Sequence, residues 1–245
     1  MTPAPHSILF DVGANNGAWA ASYLRQHARA RAYLFEPNRR FDAELALLAS
    51  KYGAVHVRAA AWIEDGNRTF TYSRNDESSS LVPGQAERWA KNSNLGVRFP
   101  CKPPREFAAV TRSLPRGRWD GTVTRRTGTL GTAICDHQRK ELVPTVDLAA
   151  FVSRVALEAP SARLVMHLDI EGAEYDVLEH LMRAGVACSF KRGALSVEWH
   201  QQEVPASAAR LEPSSTRIRM QRAARRENLL RKLRACGVQV KREVR

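Results

Sequence analysis

Ser7-Ile-Leu-Phe-Asp-Val-Gly-Ala-Asn-Asn-Gly-Ala18 is the stretch that decides the fold. Its apolar run, Ile8-Leu9-Phe10, ends in an acid, breaks into a turn of small residues and passes at once into a helix-compatible segment, Ala18 to Ala28. A buried parallel strand that feeds a tight turn and then a helix N-terminus has this layout, and it holds a nucleotide-like ligand at the strand's end. Gly13 and Gly17 let backbone approach such a ligand where a side chain would collide. Asn15 and Asn16 tolerate left-handed backbone better than most residues.

The spacing narrows the ligand. A dinucleotide fingerprint reads G-x-G-x-x-G, whereas this turn reads Asp11-x-Gly13-x-Asn15-x-Gly17. A second apolar run, Ala32-Tyr33-Leu34-Phe35, ends in Glu36, where an acid is placed to accept hydrogen bonds from both hydroxyls of a ribose. Asp11, just before the turn, suits a ligand that carries an ammonium group in place of a pyrophosphate. An adenosine joined to an amino acid is S-adenosylmethionine, and that is the cofactor expected.

Further segments follow in order: Phe35-Glu36-Pro37-Asn38, Ala59-Ala60-Ala61-Trp62, Ser79-Ser80-Leu81, Val143-Pro144-Thr145-Val146-Asp147-Leu148, and Leu168-Asp169-Ile170-Glu171-Gly172-Ala173-Glu174-Tyr175-Asp176-Val177-Leu178. With the Asp11–Gly17 turn they resemble the FkbM family of S-adenosylmethionine-dependent methyltransferases, over most of residues 7–200. The resemblance implies an α/β, Rossmann-like class I methyltransferase fold, a mostly parallel sheet with helices on both faces. It also implies O-methylation of a hydroxyl on a small molecule or glycan. The chain between Leu81 and Val143 is longer than the family usually needs. It stops at Arg245, early for a seven-stranded sheet, so an incomplete set of C-terminal strands is expected.

Length and composition fit one α/β domain: 245 residues, 44% hydrophobic, can bury a sizeable core. No apolar run approaches the ~20 residues of a spanning helix. The N-terminus has no basic segment followed by an apolar one, and the first strand begins by Ile8, so a cleavable leader would carry off part of the fold. Cys101, Cys135, Cys188 and Cys236 are scattered without metal-ligand spacing and read as reduced thiols of a cytoplasmic protein.

The net charge of +13 is unevenly placed. Residues 88–140 hold 12 Lys/Arg against 3 Asp/Glu, and residues 210–245 hold 12 against 3, which leaves the remaining scaffold mildly acidic. We therefore expect a basic insertion at about 73–140 and a basic C-terminal helix at about 210–245. Such regions attract polyanions, which motivates an alternative reading as an RNA-modifying methyltransferase. No aromatic residues interleave with the basic ones in 210–245, so nucleic acid is not the favoured partner. A non-catalytic cofactor-binding homologue is a further alternative.

Periodicity places strands at Ser7–Val12, Arg31–Phe35, Val55–Ala60, Arg68–Tyr72, Leu164–Ile170, Ala194–Trp199 and Val238–Val240. Helices are expected at Asn16–Ala28, Arg39–Lys51, from about Asp147, at Ala173–Ala184 and at Thr216–Ala235. Ligands of open α/β sheets bind at the carboxyl ends of strands. This assigns Asp11, Gly13, Asn15, Gly17 and Glu36 to the cofactor, with Ala61 and Trp62, after the third strand, offering adenine a flat apolar surface. Trp62 in plain core packing is the competing reading. A hydroxyl acceptor needs a base, and Asp169, Glu171 and His200 stand at the ends of strands four and five. Glu171 and Glu174 are equally placed to cap a helix N-terminus. Carboxylates without a dedicated cage leave a divalent ion at Asp169 and Glu171 the minority reading, and no metal is assigned.

Overall fold

A computed structural model of the protein describes residues 5–72, 79–82, 140–200 and 213–242. The insertion expected at about 73–140 lies, apart from residues 79–82 and Lys140, outside the described residues.

In chain order the elements are β1 (Ser7–Val12), α1 (Ala18–Gln26), β2 (Ala30–Phe35), a 3-10 turn at Arg39–Phe41, α2 (Asp42–Tyr52), β3 (Val55–Val57), β4 (Ala60–Trp62), β5 (Gly66–Thr71), β6 (Lys140–Asp147) and α3 (Leu148–Glu158). The chain continues through β7 (Arg163–Leu168), α4 (Glu174–Arg183), a 3-10 segment at Ala187–Arg192, β8 (Ala194–Val197), α5 (Pro213–Ala235) and β9 (Val240–Arg242).

Six strands form one sheet in the order β3-β2-β1-β7-β8-β9, every neighbouring pair parallel. β1 lies inside it and is buried at all six positions, which is why its sequence is nearly continuously apolar. Its residues alternate between two cores. Leu9 packs with Leu34 and Leu45 under α1 and α2, whereas Ile8, Phe10 and Val12 pack against α3, α4 and α5. Helices therefore cover both faces, as expected. The chain winds outward from β1 to β3, then returns to lay β7 on the other side of β1 and winds on to β9. That reversal opens a crevice at the carboxyl ends of β1 and β7.

A three-stranded sheet, β4-β6-β5, packs beside the first. β4 runs parallel to β6 and β5 antiparallel to it, around Ala60, Phe70, Tyr72 and Val143. Two expectations are corrected here. The single strand at Val55–Ala60 is in fact two, because Ala59 N–H closes back on the Val57 carbonyl at 2.8 Å and sends Ala60–Trp62 into the second sheet. β6 was not expected as a strand: Pro144 interrupts its apolar run and removes an amide donor. It nevertheless alternates, with Val143 and Thr145 buried between more exposed neighbours. Its last residue, Asp147, caps α3 by accepting the Ala150 N–H at 3.0 Å.

The thiols are also corrected. Cys188 and Cys236 form a disulfide that ties the 3-10 segment before β8 to the end of α5. Forty-eight residues separate them in sequence, so only the packing of α5 brings the pair together.

Candidate functional site

Backbone hydrogen bonds draw the ends of three strands into one cleft. Gly13 and Ala14 both donate to the Phe35 carbonyl, at 3.0 and 2.9 Å, and Asp169 donates to the Val12 carbonyl at 2.9 Å. Gly13 has φ +85°, and a Cβ there would lie 1.8 Å from the Asp169 carbonyl oxygen. The missing side chain thus admits the backbone that leaves β7. Asn15, also left-handed at φ 50°, donates its N–H to Glu36 Oε2 at 2.9 Å, and Asn38 donates to Oε1 at 2.7 Å. Burial pushes the Glu36 carboxyl up to about 7 against these two hydrogen bonds, and the negative charges of Asp11 and Asp169 add to the rise.

Beyond β7 the chain makes a turn whose centre is Glu174, a fully buried acid at the start of α4. Its carboxylate accepts the N–H groups of Ile170 at 3.1 Å and Gly172 at 3.0 Å, and it holds His200 Nδ1 at 2.8 Å. Glu174 thus braces the turn that leads into α4 and does not cap the helix, whose N-cap, Ala173, makes no side-chain hydrogen bond; it reaches the site through His200. The other nitrogen of His200, Nε2, faces Glu171 Oε2 at 3.3 Å, Asp169 Oδ1 at 3.7 Å and Glu198 Oε1 at 3.8 Å. Glu171 sits in left-handed backbone at φ 53°, and its carbonyl accepts the Ser80 hydroxyl at 2.7 Å. That conformation costs a non-glycine residue about 1–3 kcal/mol and is held by its surroundings.

Titration follows from this crowding. Burial raises Asp169 to about 7 and Glu171 to about 8; His200 pulls both down, and the neighbouring acids push them up. Burial lowers His200, but the hydrogen bond and charge of Glu174, with Glu171 and Asp169, outweigh it and carry the imidazole to about 9. At neutral pH the cluster therefore stores protons on groups that ordinarily differ in charge.

The cleft has three walls. Gly13, Asn15 and Glu36 form the first, Asp169, Ile170 and Glu171 the second, and Ala60, Ala61, Phe70, Ser79 and Leu81, from the second sheet and its neighbouring segment, the third. Residues 11–237, which include all of these positions, match the family model of the Methyltransferase FkbM domain. The chain belongs to the FkbM methyltransferase family. No curated protein and no solved structure matches it.

Within this FkbM domain the structure brings Gly13, Asn15, Glu36, Ala61, Asp169 and Glu171 to the cleft, with His200 directly behind Glu171. Three other expected residues are elsewhere. Asp11 points from β1 into the layer under α1, where Oδ1 pairs with His167 Nδ1 at 2.8 Å and Trp19 stacks on His167 at 4.3 Å. The strand's alternation turns it away from the cleft, and contact with a ligand ammonium is not supported by this position. Gly17 caps α1 in left-handed backbone against Leu45 and Leu48. Trp62 lies in the core with the Arg68 guanidinium over its ring at 4.6 Å, as the packing alternative foresaw. Two residues of the site were missed. Glu198 stands two residues before His200 and was given no role. Ser80 stood in a motif, but its hydroxyl contact to residue 171 spans 91 positions and leaves no local signal.

Proposed function

We propose that this FkbM methyltransferase uses S-adenosylmethionine and methylates a hydroxyl on a small molecule or glycan. The observation that carries the reading is the acidic lining of the cleft. Glu36, Asp169 and Glu171 face a common space, where a cationic sulfonium and ammonium would favour the ionised carboxylates that crowding alone disfavours, whereas the pyrophosphate of a dinucleotide would raise that cost. Glu36, fixed at the end of β2 by two backbone N–H donors, keeps further acceptor capacity for ribose hydroxyls. Ala60 and Ala61 leave room for a flat base beside it.

Bound there, S-adenosylmethionine supplies an already activated methyl group. The chain's own residues must then orient the acceptor and take its proton. Asp169 and Glu171, titrating near neutral pH, are matched to accept that proton. His200 holds its own proton at pH 7, so it supports these acids as a positive neighbour and serves less well as the base. Glu174 keeps the imidazole in place.

Calorimetry with S-adenosylmethionine tests the reading. Wild-type protein should bind it, NADH should not compete, and Glu36→Ala should lose at least about tenfold in affinity through the missing ribose acceptor. Absence of binding at millimolar cofactor, or preference for NADH, refutes it. Transfer of labelled methyl groups onto fractionated extract would then identify the acceptor. The RNA alternative predicts retention that falls steeply with salt.

A further inference from the structure

Behind the cleft, four carboxyl groups surround the two ring nitrogens of His200. His200 Nδ1 is committed to Glu174, a carboxylate already holding two backbone N–H groups, so Nδ1 is the donor of that 2.8 Å contact. Nε2 is thereby left to face three carboxylates, the nearest oxygens being Glu171 Oε2 at 3.3 Å, Asp169 Oδ1 at 3.7 Å and Glu198 Oε1 at 3.8 Å. A side chain from each of Asp169, Glu198 and His200 offers a ligand atom within 4.8 Å of the others. Glu171 supplies an independent sign. It is 7% exposed, and its Oε2, buried without a hydrogen bond, lies 3.3 Å from the same His200 Nε2.

An imidazole oriented through a carboxylate on its far nitrogen is the usual support of a metal-bound histidine, because it fixes the tautomer that bares the other nitrogen. The spacing agrees. The Asp169 and Glu198 oxygens, 3.7 and 3.8 Å from Nε2, would subtend N–metal–O angles of roughly 120 to 130° about an ion about 2.1 Å from each ligand atom, a spread that leaves a further position open. We propose that His200 Nε2, Asp169 and Glu198 bind one divalent ion, with the Glu171 carboxyl beside it. One imidazole with two carboxylates is a donor set suited to Mn2+ or Zn2+ more than to Mg2+, which prefers an all-oxygen octahedron. The sequence allowed an ion at Asp169 and Glu171 but hid this set, because Asp169 leaves β7 while Glu198 and His200 leave β8, and they converge only when those strands pair. The ion would lie beside the cleft wall and lower the acceptor hydroxyl's pKa. That role rests on the function proposed above, whereas the binding itself does not.

The test uses the full chain, stripped with chelator and titrated with Mn2+ at pH 8, with free ion read from its paramagnetic resonance signal. Saturable uptake of one ion per chain is expected. Glu198→Gln, a change at a partly exposed position, should weaken it at least about tenfold with the melting temperature in chelator little changed. Glu158→Gln, on the exposed end of α3, should bind as wild type. Excess Zn2+ should displace Mn2+. Should Glu198→Gln fail to fold, Asp169→Asn carries the same expectation. No saturable uptake up to millimolar Mn2+, or folded variants that bind like wild type, overturns the proposal. Cofactor calorimetry on the chelated protein is a separate arm. Mn2+ uptake without cofactor binding refutes the methyl-transfer reading alone, and the reverse refutes the metal alone.

Discussion

Replacing Glu171 by Gln should make the chelated protein more stable at alkaline pH, the opposite of what loss of a paired charge usually does. Glu171 titrates at about 8 in the folded chain against 4.5 unfolded, chiefly because burial disfavours its charge. A carboxyl whose folded pKa is raised contributes its stability below pH 4.5 and loses it as pH rises through about 8. At about 1.4 kcal/mol per pH unit, the full interval amounts to about 5 kcal/mol. Asp169, Glu174 and Glu198 share the same field, so a single substitution recovers less, about 2 kcal/mol at pH 9 and nothing at pH 5.

The neighbours reinforce the sign. Glu36, raised to about 7, and Asp169, raised to about 7, also lose stability as pH rises, and His200 loses its share through about 9. Asp147 and Glu179, both held below their ordinary values, finish titrating on the acid side of this window. His56, lowered by burial, works oppositely, but only as pH falls through and below 6.5. Urea unfolding at pH 5, 7 and 9 in chelator should therefore show wild-type stability falling with pH and the Glu171→Gln slope distinctly flatter. Wild-type stability that rises across this range, or a variant with the same slope, refutes the reasoning.

Gly13→Ala should cost more than about 3 kcal/mol, since the Asp169 carbonyl would have to retreat from 1.8 Å to at least 3.0 Å of the new Cβ, with left-handed strain of about 1 kcal/mol besides; urea unfolding measures it, and a variant within 1 kcal/mol of wild type would show that the β7 turn yields freely. Asp169→Asn keeps the shape and should leave the melting temperature near normal while the methyl-transfer rate drops at least about tenfold; full activity would remove Asp169 from the proton's path. Arg225 holds α5 to α4 through Glu179 at 2.6 Å and Asp176 at 2.7 Å, but it is partly exposed. Arg225→Met should therefore lower stability by only about 1 kcal/mol, read from the urea midpoint.

The sequence by itself determined the strand–turn–helix at Ser7–Ala28, the acid at the end of β2, and the alternation of apolar strand with amphipathic helix that makes the sheet parallel. These are local: the nature of a strand buried on both faces, or of a helix with one apolar stripe, is written in neighbouring residues. Family membership was legible for the same reason, since Asp11–Gly17 and Asp169–Leu178 are contiguous motifs. Which way each motif residue points was not. Asp11 and Gly13 are two positions apart, yet one serves the layer under α1 and the other the cleft wall, because pleating and the turn's dihedrals assign faces only after β1 is packed between β2 and β7. β6 escaped the reading because its strand character comes from pairing with β4 and β5, which outweighs the proline within it. Of the cluster around His200, Asp169, Glu171 and His200 were legible as strand-end residues, but their arrangement and the parts of Glu198 and Ser80 were not. Asp169 and Glu171 end one strand, Glu198 and His200 end another, and Ser80 arrives from a third region, so their mutual distances exist only in the folded sheet. The raised pKa values are tertiary for the same physical reason: a carboxyl's proton affinity reflects the water it has lost and the charges brought beside it, neither of which a chain specifies until it closes on itself.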